Sequence, residues 1–173
     1  MSKVSRRLAI CSVTAALGVV LMLLGAVLGL GTYMAPMFVG WCLIPIGKEY
    51  GVKYQTMLWI VISLLSALFV ANIEQNLMFI FLFGWYPIVR PKIQRLSRIF
   101  RFIVKLLLFN AVVISVEAAI ITFFIPEAME VWMAIVLIVL GNATFFFYDF
   151  AFPVFELLAD LYLKKLFGRN NGR

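Results

Sequence analysis

The sequence lacks histidine altogether and contains only two cysteines, and these shortages exclude several kinds of site. Without histidine the chain has neither the commonest metal ligand nor the commonest general base at neutral pH. Cys11 and Cys42 lie inside apolar runs that are predicted to form different helices, so neither a disulfide nor a metal site is indicated. The sequence also has no nucleophile paired with a base and no phosphate-binding loop. We therefore expect a protein that is not an enzyme and needs no cofactor.

Charged residues are also scarce, at 13% of the 173 residues, whereas hydrophobic residues reach 65%. A soluble globular chain is normally about half apolar. At roughly 20 apolar residues per spanning helix, the length allows roughly five to seven spans and leaves no residues for a soluble domain. The composition predicts a single all-α integral membrane domain over residues 1–173.

Acidic residues are missing between Glu74 and Glu117, the segment that contains the largest basic cluster, six residues from Arg90 to Lys105. All fifteen Lys and Arg residues fall in four clusters between apolar runs. Cytoplasmic loops of membrane proteins retain basic residues, so this segregation predicts six spans with both termini in the cytoplasm. The predicted spans are 8–30, 33–47, 54–71, 77–89, 99–125 and 131–163, the last being one long helix bent near Pro153.

This topology also gives each polar turn a side of the membrane. The turns that carry Glu74, Glu127 and Glu130 are predicted to lie outside. The net charge of +7 follows from the cytoplasmic clusters and does not indicate nucleic-acid binding. Within the largest cluster, basic and apolar residues alternate in a pattern typical of an amphipathic helix on the membrane surface, and its later basic residues are Lys92, Arg95, Arg98, Arg101 and Lys105.

Four polar residues stand out in the last two spans because ionisable and amide groups are costly inside a bilayer. Asn110 and Glu117 are seven residues apart on span five, and Asn142 and Asp149 have the same spacing on span six. Seven residues return to nearly the same helix face, so two antiparallel spans are predicted to pair Asn110 with Asp149 and Glu117 with Asn142. Three interpretations remain open: these pairs hold the helices together, they line a cavity and contact a ligand, or they take part in proton coupling.

The same register places acidic residues of span six opposite the basic start of span five. Such an arrangement predicts salt bridges at the cytoplasmic end of the two helices. The cluster consists of Arg98, Arg101, Lys105, Glu156 and Asp160.

Small residues follow one face of span one, where they permit close approach by another helix. Thr14, Gly18, Gly25 and Gly29 lie within one arc of this helix, and Ser12 and Ala16 form a second small pair. This span is therefore predicted to be a docking surface.

In this six-span plan, and in its first span RRLAICSVTAALGVVL, the chain resembles the S components of energy-coupling-factor transporters. Those proteins are small, with six spans and both termini inside. The resemblance implies a plasma-membrane subunit that captures a vitamin-like micronutrient from outside and delivers it through a transmembrane coupling subunit driven by ATPase subunits. In that family a small-x-x-x-small pair of span one meets the coupling subunit, and Ser12 and Ala16 occupy that pair here.

The outer connections after spans one, three and five are only a few residues long, whereas outer loops of that family commonly cover the ligand. An alternative function is therefore a membrane scaffold of similar fold that transports nothing, like the rod-shape-determining membrane proteins of cell-wall assembly. The two hypotheses differ in their partners, because the first requires ATPase subunits and the second requires wall-synthesis proteins.

Overall fold

The computed structural model describes residues 3–29, 33–123 and 131–167, and every regular element within these ranges is helical. Residues of the predicted outer turn at Glu127 and Glu130 and of the tail at Arg169 lie outside the described ranges. The helices are α1 (Lys3–Leu28), α2 (Met34–Cys42), α3 (Ile44–Tyr50), α4 (Val52–Phe69), α5 (Ile73–Met78), a π-helical segment (Phe79–Phe83), α6 (Tyr86–Ile93), α7 (Arg98–Phe123) and α8 (Val131–Phe167).

Four of the described helices contain segments long and apolar enough to cross a membrane. These segments are Val4–Leu28 of α1, Val52–Phe69 of α4, Arg98–Ile120 of α7 and Ile138–Lys164 of α8. The prediction of an all-α membrane protein is confirmed at this level. The prediction that the last apolar run forms one helix is also confirmed, since α8 continues through Pro153.

The shorter helices are interrupted near prolines, because a proline cannot donate a backbone hydrogen bond. Leu43 separates α2 from α3 and keeps a right-handed helical conformation, and Pro45 follows in the first turn of α3. The path from α5 to α6 passes through the π-helical segment, where the Gly84 N–H donates to the Phe79 carbonyl at 2.8 Å. Pro87 lies in the first turn of α6, just beyond this segment.

The prediction of one amphipathic helix through the basic cluster is wrong, because helical structure is interrupted between α6 and α7. The Gln94 N–H donates to the Arg90 carbonyl at 2.9 Å, and the following turns are tighter until α7 begins at Arg98. The Arg101 guanidinium donates to the Gln94 side chain at 2.7 Å and holds the two sides of this break together. Lys105, expected on the polar surface, is only 6% exposed.

The described helices pack into two apolar clusters that share α2. One cluster joins α2 to α1 and α4, and the other joins it to α5, α6, α7 and α8. Gly40 permits one of the close approaches between these clusters. A Cβ atom at this position would lie 2.5 Å from the Phe83 carbonyl oxygen and 2.6 Å from the Tyr148 hydroxyl, so only glycine lets α2 meet the π-helical segment.

Candidate functional site

A buried ionic network centred on Asp149 of α8 ties three helices together. The Asp149 carboxylate accepts hydrogen bonds from the Tyr86 hydroxyl at 2.5 Å and from the Arg90 Nε at 3.1 Å, both on α6. Its second oxygen accepts from the Lys105 ammonium group of α7. An ionised carboxylate in a membrane domain needs such partners, because desolvation otherwise costs more than the charge can recover.

The network continues along α8 toward the end of the helix. The Arg90 Nη1 donates to Glu156 at 3.1 Å, and the guanidinium carbon lies 4.1 Å from the centre of the Phe152 ring. The Lys48 ammonium group of α3 then donates to Asp160 at 2.9 Å and to the Glu156 backbone carbonyl at 3.0 Å. Four helices are thus linked through one row of acidic residues, spaced at close to whole helical turns on α8.

The buried cations of this network are balanced by an equal number of carboxylates. Arg90 and Lys105 are 5% and 6% exposed, so both cations are withdrawn from solvent. They are matched by the carboxylates of Asp149 and Glu156, which leaves the four groups without net charge at neutral pH. A neutral, mutually satisfied set of charges holds helices in one arrangement and leaves little free charge to attract a ligand.

The structure separates the cluster that was predicted as Arg98, Arg101, Lys105, Glu156 and Asp160. Three of its members, Lys105, Glu156 and Asp160, do form ion pairs, but each pairs with a residue outside the predicted set. Arg98 is exposed, and Arg101 donates to Gln94. The sequence-based prediction missed Arg90, although a carboxylate in an apolar helix signals that some nearby cation must be buried with it.

The predicted register between α7 and α8 is wrong by seven residues. Asn110 meets Asn142, not Asp149, and each amide nitrogen donates to the other side chain's oxygen at 3.0 Å. The same nitrogens also donate to the Leu106 and Ile138 carbonyls at 2.8 Å, one turn earlier on their own helices. Asp149 forms an ion pair with Lys105 instead, since a hydrogen bond from a cation stabilises a buried carboxylate more than one from an amide does. The mutual amide pair therefore holds the helices together and does not point at a ligand.

Glu117 lies near a different group of polar residues, at the end of the protein away from Asp149. It is half-buried on α7 and interacts electrostatically with Tyr33 and Glu74. The Tyr33 hydroxyl donates a hydrogen bond to the Glu74 carboxylate. These two carboxyl groups and the phenol form a second polar group, separate from the Asp149 network.

The small residues of α1 divide into a buried set and an exposed set. A Cβ atom at Gly18 would lie 2.8 Å from Ile62 of α4, and one at Gly25 would lie 2.3 Å from the Cβ of Ala35 on α2, so both glycines serve internal packing. Gly29 ends α1 with a φ of 61°, a conformation that favours glycine. Ser12 and Ala16 remain exposed. The predicted docking stripe is thus reduced to this exposed pair.

Comparisons with known proteins do not place the chain in a family: no family model, curated protein or solved structure matches it.

Replacing Asp149 by asparagine should destabilise the protein far more than the same change at Asp160. The Asp149→Asn variant leaves two buried cations with one carboxylate between them, and breaking a buried pair costs about 3–5 kcal/mol. Asp160 is half exposed, so Asp160→Asn should cost about 0–1 kcal/mol. Thermal unfolding of the purified variants in one detergent measures both effects.

A second change should restore part of this stability if charge balance is the cause. Adding Lys105→Gln to Asp149→Asn removes one cation together with the anion, so the remaining Arg90 and Glu156 still match. Equal melting temperatures for Asp149→Asn and Asp160→Asn would contradict a central role for Asp149.

The register between α7 and α8 can be tested by cross-linking in a protein that carries Cys11→Ala and Cys42→Ala. Cysteines introduced by Asn110→Cys and Asn142→Cys should react together with a short bifunctional thiol reagent, because the two amides touch. The pair Glu117→Cys and Asn142→Cys is the matched control, because it leaves Asp149 in place, and it should react poorly since the two positions lie two turns out of register. Preferential cross-linking of the control pair would contradict the observed packing.

Proposed function

We propose that the chain crosses the membrane six times, with both termini in the cytoplasm. The spans are α1, α2 with α3, α4, α5 through α6, α7 and α8. The short helices support this count, since only Leu43 separates α2 from α3 and the π-helical segment continues α5 toward α6 in a helical conformation. A nearly continuous helix pairs its own backbone N–H and C=O groups, as a membrane span must.

The proposed orientation is supported by the position of the basic residues. The Arg7 guanidinium of α1 donates to the Tyr54 hydroxyl near the start of α4 at 2.8 Å, while Lys48 joins the end of α3 to the last part of α8. Arg90 and Lys105 meet α8 a few turns before that point. The basic residues therefore gather toward one end of the helix assembly, which is the cytoplasmic end by the positive-inside rule.

Within this topology the chain is the substrate-capturing subunit of an energy-coupling-factor type transporter in the plasma membrane. It binds a vitamin-like small molecule from outside and carries out no chemical step itself. The polar group of Tyr33, Glu74 and Glu117 lies at the outer end under this orientation, where a captured molecule would enter. Asn110, Asn142 and Asp149 are occupied by contacts within the protein, so the ligand role falls to Glu117 and its neighbours.

One observation carries the proposal that the chain works with a coupling subunit. Ser12 and Ala16 lie one helical turn apart on α1 and stay exposed, while Gly18 and Gly25 of the same helix are used inside the protein. An exposed small pair on a spanning helix lets a second helix approach closely. The coupling subunit is the partner that the resemblance to S components implies for this surface.

Copurification tests the partner and the surface together. The parent protein should bring down a transmembrane subunit and ATPase subunits from gently solubilised membranes of its own cells. Ala16→Leu should reduce their recovery by about tenfold or more, because a branched side chain keeps the second helix away. Ala67→Leu on α4 is the matched control, since Ala67 is equally exposed and lies on another helix.

The control Ala67→Leu should recover the transmembrane and ATPase subunits as fully as the parent does. Both variants should have the parent's melting temperature. Recovery of the ATPase subunits with Ala16→Leu at the parent's level would show that this pair is not the docking surface. Wall-synthesis proteins in place of ATPase subunits would contradict the transport function and favour the scaffold.

A further inference from the structure

Three basic side chains lie close together in sequence around the connection between α6 and α7. Lys92, Arg95 and Arg98 are all exposed, and within the described ranges none of them forms an ion pair. The buried residues Arg90 and Lys105 behave differently, since each meets a carboxylate, and the exposed Lys48 also pairs with Asp160. The three free cations are therefore not needed for the network around Asp149.

The surrounding sequence offers no carboxylate that could neutralise these cations locally. No acidic residue occurs between Glu74 and Glu117, which covers α6, the connection and more than half of α7. The positive charge at this surface thus stays uncompensated by neighbours along the chain. Exposed charges of one sign within a short segment attract ions of the other sign.

The backbone at the connection adds to this attraction. α7 begins at Arg98, and the first N–H groups of a helix lack partners within the helix, so they favour an anion. The hydrogen bond from Arg101 to Gln94 closes the turn and keeps Arg95 and Arg98 on one short, ordered segment. An anion here would meet basic side chains and a helix N-terminus together.

Apolar side chains flank the same basic residues on the outside of the protein. Leu96, Ile99 and Phe100 are 43%, 73% and 65% exposed. Exposed apolar groups next to basic residues suit the boundary between headgroups and acyl chains. A free phosphate ion gains nothing from these groups, whereas a phospholipid can bury its acyl chains against them.

From these observations we infer that the α6–α7 connection, with Lys92, Arg95 and Arg98, binds the headgroup of an anionic phospholipid. The phosphate lies at the start of α7, and the acyl chains lie along Ile99 and Phe100. This inference requires only that the connection sits at the membrane surface, so it is independent of the transport function. Such a lipid would anchor the connection between α6 and α7, which both contribute cations to the Asp149 network.

Native mass spectrometry of the detergent-purified protein tests this site by counting bound lipids. The parent protein is titrated with phosphatidylglycerol and, separately, with zwitterionic phosphatidylcholine of the same acyl chains. The test variant is Arg95→Gln with Arg98→Gln. The matched control is Lys53→Gln with Lys164→Gln, which removes the same charge from two exposed residues on α4 and α8.

The parent should bind phosphatidylglycerol more tightly than phosphatidylcholine. Each basic residue near an anionic surface contributes about five-fold in affinity, so the test variant should lose roughly 25-fold of this preference. The control variant should keep it. No fold defect is expected in either variant, because all four side chains are exposed.

Three results would overturn the inference. Equal binding of both lipids by the parent would show that the headgroup is not recognised. Equal loss of the preference in the test and control variants would indicate an effect of net charge without a site. Full displacement of phosphatidylglycerol by an equal concentration of inorganic phosphate would show that the surface recognises the free ion and not the lipid.

Discussion

Asp149 must keep its charge inside an apolar helix assembly, and the arrangement of α6, α7 and α8 depends on how that charge is satisfied. Lys105 and Arg90 approach it from two other helices, and the Tyr86 hydroxyl completes its coordination. Because the cost of an unpaired buried charge is several kcal/mol, the three helices have few alternative arrangements. The register of the Asn110 pair and the break before Arg98 are both compatible with this arrangement.

The network also explains why the two ends of the protein differ chemically. It pairs the cations that lie deepest, and in the described part of the chain exposed basic residues without an ion pair, among them Arg95 and Arg98, lie at the connection between α6 and α7. The other end has the carboxyl groups of Glu74 and Glu117 with the Tyr33 hydroxyl, and the basic clusters lie elsewhere in the sequence. The proposed function, with uptake at one face and partner contacts at the other, agrees with this division of surfaces.

The sequence predicted what depends on composition and local pattern. Hydrophobic runs gave the long helices, including the unbroken α8 through Pro153, and the polar residues of α7 and α8 were recognised as the unusual ones. The partners of those residues could not be predicted, because they depend on helix register and on Arg90, whose burial is decided by tertiary contacts. For the same reason the sequence could not tell that Gly18 faces inward while Ala16 faces outward.

The proposed orientation, in which the end of the protein with the basic clusters faces the cytoplasm, can be tested directly by cysteine labelling. In a protein with Cys11→Ala and Cys42→Ala, single cysteines are introduced by Arg95→Cys at one end and by Asn72→Cys at the other, and intact cells are treated with a membrane-impermeant thiol reagent. With the basic end in the cytoplasm, Asn72→Cys should react in intact cells, and Arg95→Cys should react only after the cells are permeabilised. Reaction of Arg95→Cys in intact cells would contradict this orientation.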